Sequence, residues 1–176
     1  MNLEPFQKKH LQLYYDWMRD PHVLGPYVAP DKRSLDELIR DFEVDQWTTD
    51  RARAWLLKGE NEEIMGYADA WLFDRFESHI EFGRILLPEF RRKGFGKAFL
   101  HLVIDKVFDE TSAHRVQSIT SSSNIAIKKN WAALNFEPEA KLKEYMKLEE
   151  GYVDCFLFSV LRPEWRKMHG SCSCLQ

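Results

Sequence analysis

The stretch that most constrains this chain is Glu81 to Lys97, EFGRILLPEFRRKGFGK. An apolar strand-like run ends at Leu86-Leu87-Pro88, where proline cannot continue a sheet ladder. A basic turn carrying Gly94 and Gly96 follows, and a helix begins. Leu100, Val103, Ile104, Val107 and Phe108 recur at spacings of three and four over Lys97 to Asp109, an apolar stripe that must cover a sheet. The loop itself reads as an anion cradle of pyrophosphate size. Its glycines let backbone approach the ligand, the new helix offers unpaired N–H groups, and Arg91, Arg92 and Lys93 add positive charge.

The rest of the chain continues an alternating α/β pattern. His10 to Met18 places Leu11, Tyr14, Tyr15 and Met18 at helical spacing and stops at Asp20-Pro21. A second helix starts after Ser34, a good N-cap, with Leu35, Leu38, Ile39 and Phe42 on one face and acidic residues on the other. Ala52 to Leu57, Ile64 to Phe73 and Ser78 to Leu87 read as strands separated by Lys58-Gly59-Glu60-Asn61 and Asp74-Arg75, which predicts an antiparallel meander. Arg115 to Thr120 reads as a short strand, Asn124 to Leu134 as a helix and Tyr152 to Leu161 as a long strand. The tail after Trp165, residues 166–176, reads as polar and frayed.

At 176 residues and 44% hydrophobic composition, the chain buries roughly 70% of its unfolded surface as one domain spanning 1–176. A net charge of -3 argues against a general nucleic-acid binder. No apolar run approaches the roughly 20 residues of a membrane span, and Met1 to Pro5 has no signal-peptide pattern, so a cytoplasmic location is expected. Cys155, Cys172 and Cys174 do not make a disulfide framework. His169-Gly170-Ser171-Cys172-Ser173-Cys174 matches no standard zinc spacing, and no metal is expected.

Two other phosphate loops fail against the sequence. A P-loop requires Ser or Thr after Gly-Lys, where this chain has Ala98, and glycine where it has Arg91. A dinucleotide fingerprint requires a small residue at the position of Phe99. The pattern Arg-x-x-Gly-x-Gly after the Leu86-Leu87-Pro88 strand end instead resembles the acetyl-CoA-binding motif of the GNAT superfamily of N-acetyltransferases. Asn124 to Phe136 is similar to that family's second CoA-contacting helix. Tyr152 to Trp165 resembles the closing strand of the branch that acetylates ribosomal-protein N-termini, polyamines and some aminoglycosides.

The resemblance implies a fold, a cofactor and a set of site residues. The fold is α/β (α+β): a central mixed, mostly antiparallel twisted sheet of six or seven strands, flanked by about four helices, with splayed central strands holding CoA. Acetyl-CoA is the implied co-substrate and an amine the acceptor, with no nucleic-acid or membrane partner and a monomer or homodimer as the unit. A pantetheine arm is expected along Ile85, Leu86 and Leu87, like an added strand. Pyrophosphate is expected at Arg91, Arg92, Lys93, Gly94, Phe95, Gly96 and Lys97, with Asn124 and Trp131 also facing the cofactor.

Acetyl transfer needs a neutral amine and a proton for the departing thiolate. Glu81, where the family often has its general base, is the first candidate; Glu77 and His79 are nearby substitutes. Relatives often carry an acid tyrosine where this chain has Trp131, leaving solvent, Tyr145 or Tyr152 to protonate the thiolate. Ile127 replaces a frequent serine and Asn135 a frequent glycine. The missing tyrosine leaves two classes in view: an N-acetyltransferase acting by direct attack in a ternary complex, and a non-catalytic CoA-binding module. Tyr27, Trp47 and Trp71 are candidate walls of an acceptor pocket.

Overall fold

A computed structural model describes residues 1–49, 51–73, 78–148 and 151–169. Seven strands form one sheet in the order β1-β2-β3-β4-β5-β7-β6: β1 (Asn2–Pro5), β2 (Ala52–Lys58), β3 (Ile64–Leu72), β4 (His79–Leu86), β5 (Arg115–Ser121), β6 (Ala140–Leu148) and β7 (Gly151–Leu161). Neighbours pair antiparallel except β4 and β5, which are parallel and touch only at His79↔Arg115, Ile80↔Val116 and Glu81↔Gln117. Beyond Glu81 the two strands diverge, while β4 keeps its ladder with β3 as far as Leu86↔Gly66 and β5 keeps its ladder with β7 as far as Ser121↔Cys155. A gap therefore opens at the centre of the sheet, as the resemblance implied.

Helices cover both faces, which is why β2 reads as an apolar run rather than an alternating one. Trp55 and Leu57 of β2 join the core under α4 (Phe95–Glu110), α5 (Ile125–Ala132) and α6 (Arg162–His169), together with Phe99, Val103, Val107, Trp131, Phe158 and Trp165. Ala54 and Leu56 face the opposite way, into a core with Tyr14 of α1 (Leu11–Trp17), Val23 of the one-turn α2 (Pro21–Leu24), and Leu38 and Phe42 of α3 (Leu35–Asp45). The start of α3 is fixed by a reciprocal capping box. The Glu37 amide donates to Ser34 Oγ (3.3 Å), and the Ser34 amide donates to Glu37 Oε2 (2.7 Å), a feature worth about 1 kcal/mol.

Three elements depart from the sequence reading. β1 is four residues long, too short to show a period. β6, an edge strand, carries Lys141, Lys143, Glu144 and Lys147, charges that suit an edge and hide the strand pattern. Of the tail read as frayed, residues 166–169 continue the helix that starts at Arg162, and 170–176 lie outside the described residues. Trp165 is fully buried with its indole N–H donating to Asp105 Oδ1 (2.6 Å), and Arg162 donates to the carbonyls of Ala113 (2.8 Å) and Thr111 (2.7 Å). Long-range anchors hold a helix whose local polarity argued against it. The Asp74-Arg75 turn, Glu77, Cys172 and Cys174 lie outside the described residues.

Candidate active site

The anion loop follows from β4, whose end at Pro88 turns through a short 3-10 segment into α4. Gly94 caps α4 at φ 87, a left-handed conformation that glycine adopts without strain, and a side chain there would meet nothing within 4 Å. The backbone N–H groups of Arg92, Lys93 and Gly94 find no partner among the described residues. Arg92, Lys93 and Lys97 are exposed and enter no ion pair among those residues. The loop is thus open on the side where an anion would sit.

Three expectations at this loop change in detail. The Arg91 guanidinium is not free for phosphate: it donates to the carbonyls of Leu86 (2.8 Å), His22 (3.0 Å) and Val23, tying the loop to β4 and α2. Gly96 is small for a different reason from the one expected, because a Cβ there would lie 2.6 Å from the Asn130 amide of α5. The strand register also bears on where a pantetheine arm was expected. The Ile85 carbonyl lies against Gly66 of β3 and the Leu87 amide donates to Met65 (2.9 Å). By alternation along an antiparallel strand, the groups facing the gap belong to Arg84 and Leu86, and the Leu86 carbonyl already accepts from Arg91.

Arg84 was not singled out in the sequence. Its guanidinium donates to the Gly96 carbonyl (3.3 Å) and rests over the Phe99 ring, while its second terminal nitrogen is buried without a partner among the described residues. Burial pushes its pKa down to about 10. A cation left short of hydrogen bonds beneath the first turn of α4 fits an anionic or carbonyl-rich guest.

At the opposite side of the gap, Asn124 accepts from the Ile127 amide (3.3 Å), which caps α5. Asn135 takes the left-handed conformation, φ 63, that asparagine tolerates beyond a helix end. Tyr27 reaches across from the α2 side, its hydroxyl donating to the Ser123 carbonyl (3.1 Å). It therefore braces the mouth of the gap rather than lining an acceptor cavity. Trp131 faces the core: it is fully buried, stacked on Phe158 at 5.3 Å and tilted against Phe82 at 6.1 Å. Its indole N–H has no partner among the described residues, so it can donate a hydrogen bond but has no acidic proton to give.

Glu81 sits on the last rung before β4 and β5 separate. Its Oε2 accepts from Gln117 Nε2 (3.1 Å), and Gln117 is held in turn by Arg115 Nε (3.1 Å). Partial burial pushes the Glu81 pKa up, while the Gln117 hydrogen bond pulls it down; burial dominates. His79 lies two residues earlier on the same face and opposite Arg115. Tyr145 and Tyr152 are exposed on the β6–β7 hairpin.

A second carboxylate shares this face. Asp69 of β3 stands opposite Gly83 of β4, and Trp71 stands opposite Glu81. Tyr14, Trp47, Tyr67, Trp71, Arg33 and Asp69 line a cavity of about 140 Å³. Trp47 and Trp71 both line this cavity, and Trp47 also packs against Phe6, Tyr14 and Phe42. Burial pushes Asp69 up to about 6, against hydrogen bonds from Tyr67 and the Gly83 backbone that favour its ionised form. No single-segment motif marks this residue; it emerges only when β3 and β4 are in register. Among the described residues, no group of three or more His, Cys, Asp and Glu is placed to hold a metal.

A glycine-turned anion loop at a helix start, a gap between parallel strands and a carboxylate at the head of that gap define an acyl-CoA transferase site on a mixed sheet. Residues 1–137 match the family model described as an acetyltransferase (GNAT) domain. The chain belongs to that family, and is an acetyl-CoA-dependent N-acetyltransferase. It is 23% identical over 171 residues to an uncharacterized N-acetyltransferase p20 of Bacillus licheniformis, covering 94% of each chain. In fold it is similar to the spermidine N-acetyltransferase of Vibrio cholerae solved with CoA and spermine, with TM-score 0.81, 17% identity, and coverage of 93% of this chain and 96% of that one. A chimera of that enzyme matches with TM-score 0.80 at 16% identity, over 95% and 99% of the two chains. No helix among the described residues is long and apolar enough to cross a membrane.

Proposed function

We propose that this protein transfers the acetyl group of acetyl-CoA to a primary amine of a small cationic acceptor, with Glu81 as the general base. The observation that carries this reading is the position of Glu81. Its half-buried carboxylate is oriented by Gln117 on the rung where β4 and β5 part, beside the strand edge along which the thioester arm runs. In the reaction the acceptor ammonium gives a proton to Glu81, and the amine nitrogen attacks the thioester carbonyl carbon. The C–S bond breaks, and the second nitrogen proton leaves with the thiolate or to solvent. Leu86 and Arg84 hold the arm at the gap, and the amides of Arg92 to Gly96 with Lys93 and Lys97 receive the pyrophosphate.

The acceptor class rests on charge and shape. An aromatic cavity whose carboxylate Asp69 forms no ion pair among the described residues, and whose Arg33 is already held by Asp31 and Asp41, favours a cation. The fold neighbour solved with spermine supports a polyamine above a peptide N-terminus or an aminoglycoside. The test is amine-dependent release of free thiol from acetyl-CoA, with spermidine, simple diamines, N-terminal peptides and aminoglycosides as acceptors. Turnover fastest with polyamines is expected; turnover with peptides alone would reject the small-cation assignment.

A further inference from the structure

Neither the cofactor gap nor the proton transfer at Glu81 uses Asp69, yet Asp69 is the more unusual group. Its carboxylate occupies the space above Gly83: a Cβ built on that glycine would lie 2.7 Å from Asp69 Oδ1 and 3.7 Å from the Trp71 ring. The missing side chain at Gly83 therefore lets Asp69 lean across β4 toward the gap. Tyr67 Oη donates to its Oδ2 at a long 3.4 Å, and no described residue forms an ion pair with it.

The charges around it are committed elsewhere. Arg33 is held by Asp31 through Nε (3.0 Å) and by Asp41 through Nη1 (2.8 Å), and Arg53 pairs with Glu110 (3.2 Å). Tyr14 donates to Asp31 (3.1 Å). Arg33 is thus outnumbered by its two carboxylates, and Arg53 is engaged by Glu110, which Lys106 shares. Arg33 favours the Asp69 anion from a distance, but no cation among the described residues pairs with it directly. Burying such a group is costly unless a cation completes it. The walls that surround it, Tyr14, Trp47, Tyr67 and Trp71, are the side chains that hold alkylammonium ions well.

We propose that Asp69 is the second cation-binding carboxylate of the acceptor site, holding a remote ammonium of a short diamine or polyamine while the reacting amine of the same molecule reaches Glu81. The register sets the ruler. Asp69 faces Gly83, and Glu81 lies two residues along β4 on the same face, so the two carboxylates are diagonal neighbours about 7–8 Å apart at the backbone. A spacer of roughly three to five methylenes bridges that distance. Asp69 thereby selects diamines over monoamines. This role rests on the transferase reading only for the fate of the amine; cation binding can be measured apart from it.

The experiment is calorimetric titration of the CoA-loaded protein with butane-1,4-diamine and with butylamine at about pH 8, where carboxylates are ionised and amines protonated. Wild-type protein is expected to prefer the diamine, and Asp69→Asn to weaken diamine binding on the order of 10–100-fold while keeping wild-type affinity for CoA. Glu81→Gln, which leaves one of the two carboxylates, is expected to narrow the diamine preference while keeping wild-type affinity for CoA. In turnover the Asp69→Asn effect falls on the diamine KM more than on kcat, and Asp69→Glu restores part of it. Equal wild-type affinity for diamine and butylamine, or diamine binding unchanged in Asp69→Asn, overturns the proposal. Diamine binding without acetylation overturns the assignment of a small diamine as acceptor and leaves Asp69 as a cation site.

Discussion

The loop from Arg92 to Lys97 and the cavity around Asp69 lie on either side of β4, and they are built in opposite ways. The loop is local: one proline, two glycines and a helix start, contiguous in the chain, create unpaired amides and positive charge. The cavity is assembled at a distance, from α1, the segment before α3, the turn after α3, β2 and β3. A local device can serve any CoA-dependent relative, because the ligand is the same in all of them. An assembled one can change its acceptor by moving one side chain, and its function then follows from tertiary register instead of motif.

Large effects are expected at the loop backbone, which has no substitute, and at Glu81. Gly94→Val forces a β-branched residue into φ 87 at a strain of about 1–3 kcal/mol, and should weaken CoA binding on the order of 10–100-fold in a direct titration while leaving the Asp69 cavity able to bind a diamine. Loss of both together would mean that the two regions are not separable. Glu81→Gln should lower kcat by roughly 10²–10⁴ with CoA affinity unchanged. Because Glu81 titrates above its usual 4.5 and acts deprotonated, wild-type kcat/KM falls as pH drops through that raised value, and the variant loses this acid limb.

Smaller effects sharpen the contrast. Asp69→Asn should stabilise the ligand-free protein. In the folded protein Asp69 titrates at about 6 against 3.8 unfolded, so the folded state binds the extra proton, and the penalty is present in full above about pH 6 and fades as pH falls toward 4. The gain is on the order of 3 kcal/mol at neutral pH and absent in acid, measured by denaturant melts at both ends. A stabilising substitution that removes acceptor binding is the usual mark of a residue kept for function. Arg91→Lys loses the fork to three carbonyls and should cost about 1–3 kcal/mol of stability. Its effect on CoA affinity is expected to be smaller than that of Gly94→Val.

What could be read from the chain follows the same division. The strand–loop–helix unit at Glu81 to Asp109 and the Asn124 helix were legible, since hydrophobic period, proline and glycine act within a few residues. The role of Arg91 was not, because three carbonyl acceptors distributed between β4 and α2 claim a side chain that the sequence offers to phosphate. The sequence places Trp131 at the cofactor but does not show its stacking on Phe158, which depends on β7 lying beside β5. Asp69 could not be singled out from a strand reading YADAWL until Gly83 was placed opposite it.

The most direct test of the account is free-thiol release from acetyl-CoA with butane-1,4-diamine, alongside mass-spectrometric detection of the acetylated amine. The account predicts thiol release that requires the diamine, stoichiometric with monoacetylated product, reduced by orders of magnitude in Glu81→Gln. Tight CoA binding with thiol release that is independent of any amine would contradict it.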